Sequence, residues 1–301
     1  MKQTGALYGV GTGPGDPELL TIKAVRVLES CDVVAHFAKR GNVSNARRAV
    51  AAVLPADMLE LCLAYPVTTE LDKHSDGYIQ AIAAFFDAAA DALRAHLVAG
   101  RKVAVLSEGD PLFYGSYMHL HLRLASEFRT EVIPGITAMS GCWSAAGLPI
   151  IQGEDSLTVL AGTLDEDELT RRLRQNDAAV IMKVGRNLAK IRRALRAAGK
   201  YERAVYVERG TMSEGFHLPL ADKHDEQAPY FSLLLVPGWV KGAALNGKDR
   251  RGRAAVTEAA EALQAAEVSK VTEVAKLLAD RPPAGRDDRA QGGSGKRSRG
   301  G

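Results

Sequence analysis

The stretch Ala6-Leu7-Tyr8-Gly9-Val10-Gly11-Thr12-Gly13-Pro14-Gly15-Asp16-Pro17 runs from apolar residues into a glycine-rich loop. A short apolar run bounded by such a loop reads as a strand, and residues 19–29 then place Leu19, Ile22, Val25 and Leu28 at helical spacing. Strand, glycine loop and helix form the opening unit of a parallel α/β sheet. The unit recurs downstream. Residues 32–37, 102–106 and 131–133 read as further strands. The strand over 102–106 ends at Ser107-Glu108-Gly109-Asp110-Pro111, and the one over 131–133 at Pro134-Gly135-Ile136-Thr137-Ala138. The spacing predicts a long helix over 76–98, with Ser75 as N-cap and Ile79, Ile82, Phe86, Leu93 and Leu97 near one face. A shorter helix is expected from Leu112 onward, and Asp110 is placed either to cap it or to accept hydrogen bonds from a ligand hydroxyl or amine.

A second unit opens near Gln152, after Leu148-Pro149-Ile150-Ile151. Its strand candidates are 156–160, 178–183, 204–208 and 230–236, with helices near 165–175 and 187–198. The expected organisation is therefore α/β, with one domain over 1–148, a second over 152–238 and an extension over 239–301. Within the extension, 241–253 reads as a polar linker and 253–280 as an Ala-rich helix. Residues 282–301 are Pro, Gly, Ser, Arg and Lys, a composition that buries too little to order itself.

Charge narrows the function. The chain carries +3 overall, yet 241–301 holds 13 Lys/Arg against 8 Asp/Glu, which leaves a net of −2 for 1–240. The body is not that of a basic nucleic-acid binder. Hydrophobic residues make up 46% and charged residues 25%, ordinary for a globular protein. No run approaches the roughly 20 apolar residues of a spanning helix. Cys31, Cys62 and Cys142 share no C-x-x-C spacing, so neither a disulfide framework nor a zinc site is expected. The start of the chain shows no signal-peptide pattern, and a cytoplasmic location is the expectation.

The first loop lies where a dinucleotide-binding loop would lie. The G-x-G-x-x-G pattern nevertheless fails in both frames, because its last position is Pro14 when counted from Gly9 and Asp16 when counted from Gly11. Pro14 removes an amide that a phosphate would need, and Asp16 adds a repelling charge. A nucleotide-binding oxidoreductase is thus the weaker reading. His119 and His121 could tempt a metal assignment. Residues i and i+2 on a helix point apart, so they cannot chelate one ion, and no metal is expected.

Three loops follow three strands of one parallel sheet, so all three reach the same carboxyl edge. In this order they resemble the tetrapyrrole methylase family, the class III S-adenosylmethionine-dependent methyltransferases. The motifs are the first loop, Glu108-Gly109-Asp110-Pro111, and Pro134-Gly135-Ile136-Thr137-Ala138 with Gly147-Leu148-Pro149 downstream. Met182-Lys183-Val184-Gly185-Arg186 and Val207-Glu208-Arg209-Gly210-Thr211 extend the likeness to roughly 5–238. Within the family the chain is most similar to the branch that methylates precorrin-2 at C20 in cobalamin biosynthesis. That similarity rests on Ala64-Tyr65-Pro66-Val67-Thr68-Thr69, Tyr117-Met118-His119, Leu169-Thr170-Arg171-Arg172-Leu173 and Pro229-Tyr230-Phe231-Ser232. It departs at Ala161, where the family often has proline, and in the tail after Gly238, where such proteins usually stop.

The resemblance implies a homodimer of two α/β domains with S-adenosylmethionine folded into the cleft between them. By motif, Pro14 lines the donor pocket, and Gly109, Asp110 and Phe113 hold the amino-acid and ribose parts. Thr137 and Ala138 contribute from the third loop, and Val184 and Gly210 close over the adenine. The first loop, with Gly13 and Asp16, faces the tetrapyrrole. His36, Lys39 and Arg40 are candidates for meeting substrate carboxylates, and Tyr114 and Tyr117 for orienting the macrocycle. The implied chemistry is direct displacement, for which no catalytic base is assigned. Rival substrates are the cobalt-loaded form of precorrin-2 and, more remotely, a protein or RNA.

Overall fold

The computed structural model describes residues 5–66 and 75–238. The expectations for Thr68, Thr69 and His74, for the linker and helix over 241–280, and for disorder over 282–301 lie outside the described residues. The first half builds β1 (Ala6–Gly11), α1 (Ile22–Ser30), β2 (Val33–Lys39), α2 (Asn45–Ala49), β3 (Leu59–Tyr65) and α3 (Asp76–Val98). It continues with β4 (Lys102–Ser107), α4 (Tyr117–Leu124), β5 (Arg129–Ile133) and α5 (Ala138–Ala145). Its five strands form one parallel sheet in the order β3-β2-β4-β1-β5.

Helices cover both faces. α1 and α2 press Ala24, Leu28, Ala46 and Val50 against Val10, Val34, Ala104 and Leu106. α3 and α4 bury Phe86, Leu93, Leu97, Tyr117, Leu120 and Leu124 against Leu7, Val33, Val103 and Val105. The chain leaves β2 toward β3 and leaves the adjacent β4 in the opposite direction, toward β5. A crevice therefore opens between the ends of β2 and β4, the place where open parallel sheets receive ligands.

Local chemistry explains the boundaries. Ser75 caps α3 as expected, its Oγ accepting from the Tyr78 N–H at 3.3 Å. The start of α1 differs from the periodicity reading. Pro17–Leu19 forms a separate 3-10 turn, and Thr21 caps α1 by accepting from the Ala24 N–H. The helical phase consequently begins at Ile22, so Ala24 and Leu28 face the core while Ile22 is 71% exposed. The helix expected from Leu112 begins instead at Tyr117, because 111–116 forms turns. The structure adds α2 and the edge strand β3, where Leu59, Leu61, Leu63 and Tyr65 alternate with Glu60, Cys62 and Ala64.

The second half builds β6 (Leu157–Ala161), α6 (Glu166–Gln175), β7 (Ala178–Met182), α7 (Leu188–Ala197), β8 (Val205–Glu208), β9 (Phe216–Pro219) and β10 (Ser232–Val236). The sheet order is β6-β7-β10-β8-β9, with β6 and β7 parallel and the remaining pairs antiparallel. α6 and α7 fill one face with Leu169, Leu173, Leu188, Ile191 and Leu195. The other face is covered by α5, whose Cys142, Met139 and Trp143 pack on Val180, Val207, Leu233 and Leu235. The helix that ends the first half by sequence thus belongs to the core of the second sheet. Both sheets fall within one compact unit, Met1–Val240.

The three thiols sit in unlike environments. Burial pushes Cys31 up to about 12 and Cys142 up to about 11, while Cys62 is exposed. Because the thiolate is the reactive form, a disulfide reagent at mildly alkaline pH is expected to titrate one thiol in the native chain and three after denaturation. Rapid native reaction of a second thiol would contradict the closed packing of α5 or of the end of α1.

Candidate active site

Three loops meet at the carboxyl edge of the first sheet, 12–16 after β1, 108–116 after β4 and 134–137 after β5. They touch backbone to backbone. The Gly109 N–H donates to the Gly13 carbonyl at 2.8 Å, and the Gly13 N–H returns a longer bond at 3.4 Å. Thr12 donates to the Ser107 carbonyl through both its N–H, at 2.8 Å, and its hydroxyl, at 3.1 Å. A methyl group added at Gly135 would collide with the Gly109 carbonyl and come within 2.8 Å of Gly11 Cα. One added at Gly11 would lie 2.5 Å from the Gly135 nitrogen. These glycines serve close approach of three main chains rather than a phosphate cradle.

Asp110 completes the knot. Its Oδ1 accepts from the Leu112 N–H at 2.9 Å and its Oδ2 from the Gly135 N–H at 3.2 Å, so one carboxylate ties the second loop to the third. Asp16 caps the turn Pro17–Leu19 through the Glu18 N–H at 2.9 Å. Thr137 caps α5 through the Ser140 N–H at 3.4 Å.

The same loops reach the second sheet. Pro14 lies against Gly141 of α5, and Thr211 packs on that glycine as well. Met212 covers Gly15, and Cys142 lies under Gly210. Across the edge, the Lys183 ammonium sits 4.8 Å above the Tyr114 ring, which meets Phe113 edge-on at 4.9 Å. Tyr114, Lys183 and Arg209 hold left-handed backbones, with φ of 55°, 57° and 48°. Each costs roughly 1–2 kcal/mol, and such outliers gather at ligand clamps. All three lie just beyond strand ends or in the loop after β4.

Several expectations find their places here. Pro14, Gly109, Asp110, Thr137, Ala138 and Gly210 gather along one seam, and Phe113 joins it through Tyr114. Val184 is fully buried in the core beneath α6 and α7, so only its backbone is available to a ligand. Gly13 is buried, with its backbone occupied by Gly109.

Two expectations are corrected. Tyr117 does not orient a macrocycle, because it is fully buried with its ring packed against Gly9 in the first core. His36 lies inside β2 and is only 8% exposed. Burial holds it below the ordinary histidine range even though Glu60 stands 3.6 Å away. It therefore faces Glu60 and Arg47 as a neutral ring rather than offering a cation to substrate. Lys39 and Arg40, at the exposed end of β2, keep that possibility. His119 stacks on Phe86 at 4.1 Å, whereas His121 reaches the Tyr117 hydroxyl at 3.3 Å, so the two rings serve different neighbours.

The Tyr117 hydroxyl bond is long, and its loss leaves the packing intact. Tyr117→Phe is expected to keep turnover and KM within about twofold of wild type, whereas Tyr117→Ala costs about 3–5 kcal/mol of stability. A large rise in KM for Tyr117→Phe would restore the substrate-contact reading.

Motif reading passed over Tyr65, Glu108, Lys183, Thr211 and Met212 as site residues. Each stands in or next to a quoted motif, but its position depends on segments far apart in the chain. The Tyr65 hydroxyl pairs with Ser116 of the second loop, and burial pushes it up to about 12.

The profile of the family described as Tetrapyrrole (Corrin/Porphyrin) Methylases matches residues 6–220. The chain belongs to the tetrapyrrole methylases. It is 65% identical over 235 residues to a precorrin-2 C(20)-methyltransferase from a Sinorhizobium species, covering 78% of this chain and 96% of that one. It is 31% identical to the cobalt-precorrin-2 C(20)-methyltransferase of Salmonella typhimurium, covering 77% of this chain and 96% of that one. Its fold matches a uroporphyrin-III C-methyl transferase from Thermus thermophilus complexed with S-adenyl homocysteine, with a TM-score of 0.55 and 24% identity. That match covers 77% of this chain and 97% of the other. The family's motifs are thus the seam where the two sheets' loops interlock.

Proposed function

We propose that this tetrapyrrole methylase transfers a methyl group from S-adenosylmethionine to C20 of precorrin-2, giving precorrin-3A in cobalamin biosynthesis. The observation that carries this reading is the 65% identity to the Sinorhizobium precorrin-2 enzyme across 96% of its length. The lower identity, 31%, to the relative acting on the cobalt-loaded compound favours the metal-free substrate.

The seam fits a donor of this kind. Gly109, at φ +65°, leaves ordinary van der Waals space beside Ile136 O, Thr137 Cα and Ala138 N, at 3.6 to 3.8 Å from a side-chain position it does not fill. By family resemblance we assign the donor to this stretch of backbone, with Gly109, Asp110 and Phe113 on one side and Thr137 and Ala138 on the other. Pro14, Gly210 and the backbone of Val184 are assigned to the same site by that resemblance. The bound donor supplies an electrophilic methyl on a sulfonium, already primed to leave. The chain's part is to align the acceptor carbon with it, and orientation of this kind contributes roughly 7–11 kcal/mol. Lys39, Arg40, Lys183 and Arg209 are the cations we assign to a carboxylate-rich substrate, with Gly13, Asp16 and Tyr114 beside it. A cytoplasmic homodimer belongs to the same reading by family resemblance; the division into 1–148 and 152–238 follows the order of strands along the chain, with α5 of the first part covering the second sheet.

Mass spectrometry of the product from precorrin-2 and isotopically labelled donor tests the proposal. One labelled methyl at C20 is the expected result. Clear preference for cobalt-loaded substrate in a parallel reaction would replace the acceptor, and tight NAD binding without S-adenosylhomocysteine binding would overturn the donor.

A further inference from the structure

We propose that the Glu108 carboxylate takes the meso proton that C20 must lose when it is methylated, and that Asn45 holds it in place to do so. The proposal rests on the substrate reading above. In the transfer, the C20–CH3 bond forms as the sulfur–methyl bond breaks, leaving neutral S-adenosylhomocysteine. C20 then carries both hydrogen and methyl. Breaking its C–H bond returns the electron pair to the macrocycle and passes the proton to Glu108, which later yields it to water.

Position is the first argument. Glu108 follows β4 and Asn45 opens α2 after β2, so the two stand on opposite lips of the crevice between β2 and β4. The Asn45 amide is near enough to the Glu108 carboxyl to favour its charged form. The second argument is availability. Asp16 and Asp110 are committed to backbone amides that hold the turn and the knot. Glu108 is exposed, and the Asn45 amide is a ligand that leaves lone pairs open.

The surroundings agree with that role. Tyr65 at the end of β3 and the exposed Tyr230 before β10 both lie within electrostatic reach of Glu108, with Tyr78 of α3 acting on Tyr65. Arg47 of α2 is paired with Glu60. Although Glu108 is an exposed residue, the protein packed around its carboxyl desolvates it and raises its pKa, with the Asn45 amide opposing. A carboxylate with a raised pKa is a stronger base than an ordinary one. A proton acceptor works only when deprotonated, so turnover must fall as pH drops through this raised pKa.

Glu108→Gln and Glu108→Asp, compared with wild type on precorrin-2 and on precorrin-2 deuterated at C20, test the proposal. Glu108→Gln is expected to lower kcat roughly 100-fold, to lose the acidic limb of the pH profile and to show a primary isotope effect that wild type lacks. S-adenosylhomocysteine affinity and Tm stay unchanged, and Glu108→Asp recovers part of the rate. Turnover of Glu108→Gln within about twofold of wild type overturns the proposal. So does a loss that tracks donor affinity or Tm, because that marks a purely structural role. A wild-type chain that leaves precorrin-2 unmethylated overturns the substrate reading and this proposal together, whereas an active wild type with an equally active Glu108→Gln overturns this proposal alone.

Discussion

Gly135→Ala is expected to abolish methyl transfer and to lower Tm more than any other single-methyl change at the seam. The added carbon would collide with the Gly109 carbonyl and crowd Gly11 Cα at 2.8 Å. Both neighbours are main chain, and both are anchored, Gly109 by Gly13 and Gly11 by its register with Ser107 in the sheet. No side chain can rotate aside, so the third loop must move, taking the start of α5 with it. Two controls grade the effect. Gly109→Ala has ordinary room but requires a left-handed alanine at φ +65°, a cost of roughly 1–2 kcal/mol. Gly77→Ala, with nothing among the described residues within 4 Å of the added carbon, lies in α3 and is expected to stabilise by roughly 0.5–1 kcal/mol. Thermal melts with turnover measurements check the order. Wild-type turnover in Gly135→Ala would show that the loops do not need this contact.

Asp110→Ala carries the second large effect. It strips the acceptor from two backbone amides, Leu112 and Gly135, in a half-buried position. Leaving such donors unmatched costs roughly 1–3 kcal/mol each when water cannot replace the acceptor. A total near 3 kcal/mol would move Tm by roughly 6–12 °C in a unit of this size. Untying the second loop from the third also spreads the proposed donor cradle, so S-adenosylhomocysteine affinity is expected to fall about 100-fold, a factor worth roughly 2.7 kcal/mol. Asp110→Asn separates charge from geometry. Its amide oxygen can still serve Leu112, but its NH2 then faces the Gly135 N–H, donor against donor. An intermediate loss is expected by calorimetry. Unchanged affinity and Tm in both variants would remove Asp110 from the seam's support.

Legibility followed the range of the interactions. The strands preceding the glycine loops, and the cap and length of α3, were readable because strand period, helix period and a capping serine act within a few residues. The phase of α1 was misread because Pro17–Leu19 forms its own turn, and Leu19 therefore does not share the helical register. Residue type and neighbourhood point Tyr117 and His36 toward substrate, while burial, which decides the matter, depends on α3 packing over α4 and on β3 pairing beside β2.

Short-range patterns specify the α/β class, the three loops at one sheet edge, the failure of the dinucleotide pattern and, through the motifs, membership in the tetrapyrrole methylases. Each of these is written in contiguous residues. Long-range packing decided that the glycines of those loops press on one another and that Asp110 is a tie. It also decided that α5 belongs to the second sheet, and that Glu108 meets Asn45 across the crevice. Those features join positions tens of residues apart, and what brings them together is the burial of apolar faces and the order of strands, which no local spacing records.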